Sequence, residues 1–373
     1  MNERTIPTWS EIDVEALQAN YRAVRRLVGP DVRVIASVKA DAYGLGAVGM
    51  ARAFQDLGVF ALATGSVGEA LAIRDAGVNV PILLFSTYGA GDVPALLDHD
   101  FIPTVHDLAV AEAVSRWARR PTPVYVKVDA GLGRLGVPIV TARAFIERVA
   151  AMDNVVLDGV YTHVAFGDGK GRDWAAARLA EFDRLLADLA DAGLDIPVTQ
   201  ARASSCLLAG LGDSCNAVCV GHAFYGLSPF TEPAVGDLSA LRPAFKALKT
   251  SLIHVAHHGQ GADIAIGGLF GLTSGRTAGV APIGLAGGLL RLSPGGAAYA
   301  LVRGRRVPVI AVSLEHTTLD LDGVEDACVG DEVTLIGVDG GEEITLDDMA
   351  AWQGRSPLEV LCMLAGRGER RFV

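Results

Sequence analysis
The chain has 373 residues, 50% of them hydrophobic and 20% charged, with a formal net charge of −11. That length exceeds one average domain and that hydrophobic content supports large cores, while the acidic balance argues against nucleic-acid and anionic-membrane partners. The five cysteines (Cys206, Cys215, Cys219, Cys328, Cys362) are odd in number and lack a CxxC pair. They argue against a disulfide framework or a zinc site and for a reduced, cytoplasmic setting.

No basic-then-apolar leader precedes Trp9, and no apolar stretch reads as a bilayer span. In chain order, a short strand is expected within residues 8–14, running into a helix near 15–28. Strands are then expected at 32–38, 59–63, 82–85, 102–105, 124–128, 155–162, 197–200 and 217–220, with helices between them. The helix expected over 67–76 carries Ala70, Leu71 and Ile73 on one side. That over 174–192 repeats Leu179, Phe182, Leu185, Leu186 and Leu189 at helical spacing. Eight strands alternating with helices predict a (β/α)8 TIM barrel, with a doubly wound open sheet as the alternative. Beyond residue 238 the helical period fades. Short β-like runs at 248–256, 276–282, 298–302, 307–312 and 332–336 take over. The pairs Gly287-Gly288, Gly295-Gly296 and Gly340-Gly341 mark loops there. The expected division is a barrel over 1–237 and a β-rich domain over 238–373.

Barrel active sites collect at the C-terminal ends of strands. Lys39 ends the first apolar run, before a glycine-punctuated turn that carries Tyr43. A lysine there either snorkels to solvent or, partly desolvated, forms a Schiff base with an aldehyde. Arg134 follows the fifth strand in a glycine-rich stretch and suits a carboxylate or phenolate, or a surface ion pair. His163 ends the sixth strand, Ser204 and Ser205 follow the seventh, and Cys219, Gly221 and His222 lie at the eighth. Small hydroxyls and backbone amides in such a turn can donate to phosphate. No carboxylates at metal-ligand spacing accompany His163, so no metal is expected.

The stretch Val38-Lys39-Ala40-Asp41-Ala42-Tyr43-Gly44-Leu45-Gly46 resembles the cofactor-lysine motif of alanine racemases, with Leu45 where that family has histidine. Those enzymes are fold-type III barrels that use pyridoxal 5′-phosphate (PLP). The resemblance continues along nearly the whole chain. It implies that Lys39 holds PLP and that Tyr43 contacts the phosphate. Arg134 would face the pyridoxal oxygen and the substrate carboxylate, and His163 would stack beneath the ring. Lys127 matches a position that is carbamylated in many members and orients the arginine. Ser204-Ser205 resembles the phosphate-binding Asn-Ser pair, Ser205 being favoured, and Gly221 with the His222 amide matches the phosphate cradle. The resemblance also implies a homodimer whose sites are shared between subunits, and an N-terminal strand paired with the β domain.

Five departures carry the functional question. Cys219 stands where the family sets an arginine against the pyridine nitrogen, and a thiol is a weak donor. Ala265-Ile266-Gly267-Gly268-Leu269-Phe270 resembles the segment of the catalytic tyrosine, which places Ile266 at the second-base position. Gly284-Leu285-Ala286-Gly287-Gly288 lacks another tyrosine, and Leu358 replaces a late phosphate-contacting one. A Met-Asp-Gln segment becomes Leu314-Glu315-His316, which leaves His316 as the candidate replacement base. Three functions therefore remain open. They are a racemase-like enzyme with an altered second base acting on a small or unusual amino acid, one-base PLP chemistry such as decarboxylation, aldol-type cleavage or elimination, and a non-catalytic PLP-binding homologue.

Overall fold
The computed structural model describes residues 8–85, 87–268, 272, 274–291 and 296–373. The chain divides into two compact units. Glu15–Ala42 with Ala47–Pro243 form one, and the N-terminal residues through Val14, Tyr43–Gly46 and Ala244–Val373 form the other. The first strand, β1 (Trp9–Ile12), belongs to the latter.

The larger unit is a closed parallel barrel. Its strands are β2 (Arg33–Ser37), β3 (Ala61–Thr64), β4 (Ile82–Leu84), β5 (Ile102–Val105) and β6 (Thr122–Asp129). A two-residue strand β7 (Val137–Pro138) pairs with the end of β6, and the barrel continues with β8 (Val155–Val164), β9 (Val198–Arg202) and β10 (Ala217–Val220). The pairing of β2 with β10 and of β5 with β6 closes the ring. Strands buried on both faces read as continuous apolar runs, and β3, β4, β5 and β10 are buried at every position. The interior is filled by Ile35, Ala61, Leu83, Ile102, Tyr125, Tyr161, Val198 and Ala217, among others, one or more from each strand. Gly159 on β8 makes room for Tyr125, since a Cβ there would lie 2.6 Å from the ring.

Helices sheathe the barrel with one apolar face each. Gly169–Asp191 buries Ala175, Leu179, Phe182, Leu185 and Leu189, with Leu186 only partly covered. It starts earlier than its apolar period because the Asp168 carboxylate caps it, accepting the Gly171 amide at 2.8 Å.

The second unit is mostly β. Its further strands are β11 (Phe245–Ser251), β12 (His254–His258), β13 (Arg276–Ala281), β14 (Tyr299–Val302), β15 (Arg305–Val312), β16 (Thr317–Asp320), β17 (Glu332–Asp339), β18 (Glu342–Ile344) and β19 (Glu369–Phe372). β1 lies between β11, antiparallel, and β19, parallel. The run expected over 248–256 is two strands, not one. β11 pairs with β17 and β12 with β13, and the chain changes partner at Leu252 and Ile253, whose amides reach Asp331 O and Val280 O at 2.8 Å each. Helices Leu346–Gln353 and Pro357–Leu364 close capping boxes through Thr345/Asp348 and Ser356/Glu359. Leu269 and Phe270 of the tyrosine-like segment, and Gly295 of one glycine pair, lie outside the described residues. No helix among the described residues is long and apolar enough to cross a membrane.

Candidate active site
Lys39 follows β2 and opens a left-handed turn. Ala40, Asp41, Ala42 and Tyr43 have φ of 55°, 54°, 53° and 60°. None of the four is glycine, so each costs about 1–2 kcal/mol relative to right-handed backbone. The Ala42 amide donates to Val38 O at 2.9 Å and closes the turn. Burial lowers the Lys39 ammonium below its ordinary value; the Cys219 thiol opposes the shift and the Arg134 guanidinium adds to it.

Lys127, near the end of β6, is only 6% exposed. Its ammonium falls to about 8, chiefly through burial and then through Arg134 and Lys39, against Cys219 and Asp129. Its Nζ lies 5.3 Å from the Tyr161 ring centroid and 5.8 Å from that of Phe85. The next loop presents Arg134. Asp129 anchors it, Oδ1 accepting the Gly131 amide at 2.9 Å and Oδ2 the Gly133 amide at 3.0 Å. Gly136 (φ +130°) lets the loop return against β6, where a Cβ would stand 2.5 Å from Asp129 N.

His163 sits on β8, one residue before its end. Burial pushes its imidazole down to about 3, helped by the charges of Lys39, Lys127 and Arg134 and by His222. It is therefore a neutral ring at neutral pH. His222 is lowered to about 4 by burial and Lys39. Burial raises the Cys219 thiol to about 11 despite Lys39 and Lys127, so it stays protonated. These mutual influences place Lys39, Lys127, Arg134, His163, Cys219 and His222 around one mouth of the barrel.

The two serines part company. Ser204 Oγ accepts the amides of Gly221 at 3.4 Å and Ala223 at 3.3 Å, which leaves its hydroxyl proton to give. Ser205 Oγ instead accepts the Phe166 amide at 3.2 Å, away from that cradle. The geometry thus sets Ser204, rather than the favoured Ser205, beside Gly221. The cradle is tied to the lysine strand, because Tyr225 OH donates to Ser37 O at 2.7 Å.

Tyr43 and His316 fall in the other unit. Tyr43 is buried, and His316 is exposed in the turn between β15 and β16, where its carbonyl accepts the Ser313 amide at 2.8 Å. In the same unit Ile266 is 40% and Leu314 66% exposed. Sequence reasoning passed over Glu69, which with Lys39, Ala40, Ser66, Thr87 and Tyr88 lines a cavity of about 480 Å³. Its signal was the Ser66-x-x-Glu69 spacing, which reads as a helix cap.

Among the described residues no group of three or more His, Cys, Asp or Glu could hold a metal ion. The donor set fits PLP instead. It offers an amine with a lowered pKa, a fixed cation, a neutral imidazole, and a hydroxyl on a turn of backbone amides.

A parallel barrel with this lysine at its first strand end, joined to a β-rich unit, is the architecture of fold-type III PLP proteins. The model of the alanine racemase N-terminal domain matches residues 12–229, and that of the C-terminal domain matches residues 246–372. The chain belongs to the alanine racemase family, whose members use PLP. It is 31% identical to an alanine racemase of Methanococcus maripaludis over 98% of this chain and 99% of that one. It is 34% identical to one of Desulfosudis oleivorans, over 98% and 96%. Among solved structures, alanine racemase from E. faecalis superposes with a TM-score of 0.88 at 29% identity, covering 100% of this chain and 99% of that one. The enzyme of D-cycloserine-producing Streptomyces lavendulae gives 0.86 at 29% identity, over 100% and 98%.

Proposed function
We propose that the chain is a PLP-dependent amino-acid isomerase of the alanine racemase kind with an altered second base, acting on a small or unusual amino acid and slow on alanine. The observation that carries this reading is an imbalance. The barrel gathers Lys39, Arg134, His163, Ser204 and Gly221, while the segment resembling the tyrosine base presents an apolar, exposed Ile266.

Bound PLP supplies an electron sink for the α-carbon of an amino acid. Lys39 would hold it, and the Ser204 hydroxyl with the Gly221–Ala223 turn would receive its phosphate. His163, a neutral imidazole, would stack on the ring, and the family resemblance assigns Tyr43 to its phosphate. Arg134 takes the substrate carboxylate, for which a guanidinium in a glycine-flexed loop is suited. Cys219 stays a thiol and would give the pyridine nitrogen no charged partner. Burial lowers the Lys39 ammonium, which favours the neutral amine that would accept an α-proton on its own face. Isoleucine carries no proton, so return from the opposite face falls to His316 of a second subunit.

The test is α-deuterium incorporation from D2O into L- and D-amino acids, read by chiral chromatography with mass spectrometry. Exchange confined to one enantiomer of alanine, with a second-face reaction on another amino acid that His316→Ala abolishes, is the expected result. Rapid interconversion of both alanine enantiomers, unchanged in His316→Ala, sinks it. Exchange of one enantiomer of every substrate, with or without loss of CO2, would instead favour one-base chemistry.

A further inference from the structure
We propose that Glu69 is a positioning residue for Lys39, its carboxylate clamping the left-handed turn that follows the lysine. Ser66-x-x-Glu69 begins the helix Val67–Asp75, and Ser66 Oγ accepts the Glu69 amide at 3.2 Å. In a complete box the acidic side chain reaches back to the cap amide. Asp348 and Glu359 do so, accepting the Thr345 and Ser356 amides at 2.9 Å each. Glu69 does not. Its Oε1 accepts the Asp41 amide at 2.7 Å, and its Oε2 accepts the hydroxyl of the fully buried Thr64. The Ser66 amide is left with Thr64 Oγ1 at 3.4 Å.

Asp41 is the middle of the strained turn, and its own carboxylate accepts the Ala47 amide at 2.7 Å. Left-handed backbone at Ala40, Asp41 and Ala42 persists only where the surroundings over-determine it. A carboxylate on a backbone amide is among the stronger ties available. Glu69 therefore gives up its own helix cap to hold the segment that aims Lys39.

The functional meaning rests on Lys39 holding PLP, so the experiment has two arms on the full chain. The first is trace labelling of Lys39 with acetic anhydride across pH, read by peptide mass spectrometry, which needs no cofactor. The second is the rate of PLP capture at Lys39, trapped with borohydride. Glu69→Asp is one methylene short of Asp41 but able to close its own box, as Asp348 does. It is expected to move the Lys39 labelling midpoint toward the ordinary lysine value and to slow PLP capture about tenfold, without lowering the melting temperature. Glu69→Gln keeps a carbonyl for the Asp41 amide and is expected to behave as wild type. Ser66→Ala weakens the same helix without touching the turn and is expected to leave Lys39 unchanged. An unaltered Lys39 profile in Glu69→Asp, or an equal change in Ser66→Ala, overturns the proposal. Should Glu69→Asp not fold, Thr64→Val decides in the same way, because it frees the carboxylate to swing back to Ser66. A labelling shift with no PLP capture even in wild type would leave Glu69 standing and remove the PLP reading.

Discussion
Lys127 has lost nearly all of its water, being 6% exposed, and its ammonium lies at about 8 instead of 10.5 because burial and the charges of Arg134 and Lys39 disfavour it. The unfolded chain keeps this proton to about pH 10.5, whereas the folded chain releases it above pH 8. The group therefore opposes folding in full below pH 8, and the opposition fades between pH 8 and 10.5. Lys127→Met is expected to raise the unfolding free energy at pH 7 by about 1–3 kcal/mol, with the gain vanishing toward pH 10.5. Urea unfolding at several pH values reads this, and parallel wild-type and variant curves refute it. A carbamylated Lys127 has no ammonium to titrate and would give such parallel curves, with the modification visible in the intact mass. Lys39 carries a companion expectation. Borohydride reduction with PLP should place a pyridoxyl group on Lys39, and an adduct on another lysine, or none, would refute the proposed role.

At the scale of elements, the turn around Gly226 follows the proposed phosphate cradle. Its φ is +70°, and a Cβ would stand 2.0 Å from Arg242 O. Gly226→Ala is expected to destabilise the barrel by more than about 1 kcal/mol and to weaken PLP capture, measured by urea unfolding and by titration. Unchanged stability would show that the loop yields. The barrel elements were legible because burial on both faces writes continuous apolar runs. Residues 102–105 form a strand with those bounds. The run 248–256 misled because periodicity does not register a change of partner at Leu252 and Ile253. Helices Leu346–Gln353 and Pro357–Leu364 escaped notice because eight residues each give too little periodic signal. In the site, strand-end positions together with the family resemblance singled out Lys39, Arg134, His163, Cys219 and His222 as candidates. The choice between Ser204 and Ser205 depends on which way the helix Ser204–Leu208 faces, and one residue reverses it. The left-handed turn was invisible because Ala40 and Ala42 have no preference for positive φ. Tertiary hydrogen bonds impose it.

At the scale of the whole molecule, Ile266 and Leu314 are 40% and 66% exposed on the β-rich unit. Single exposed apolar side chains are ordinary on any surface. These two stand on segments resembling those with which family members complete the site of a partner subunit, and His316 follows Leu314 by two residues. A homodimer is therefore expected at micromolar concentration by sedimentation velocity, and Leu314→Asp should shift it toward monomer by placing a charge in a desolvated contact. Dimer symmetry gives a sharper test. In a mixed population of Lys39→Ala and His316→Ala chains, each hybrid dimer has one site with both groups intact. The mixture should then regain about a quarter of the wild-type two-face exchange on the substrate that supports it, whereas each variant alone shows none. Sites built within one subunit never combine the two intact groups, so no exchange would return. Absence of regain in verified hybrids, or a fully active monomer, would remove both the shared site and the role proposed for His316.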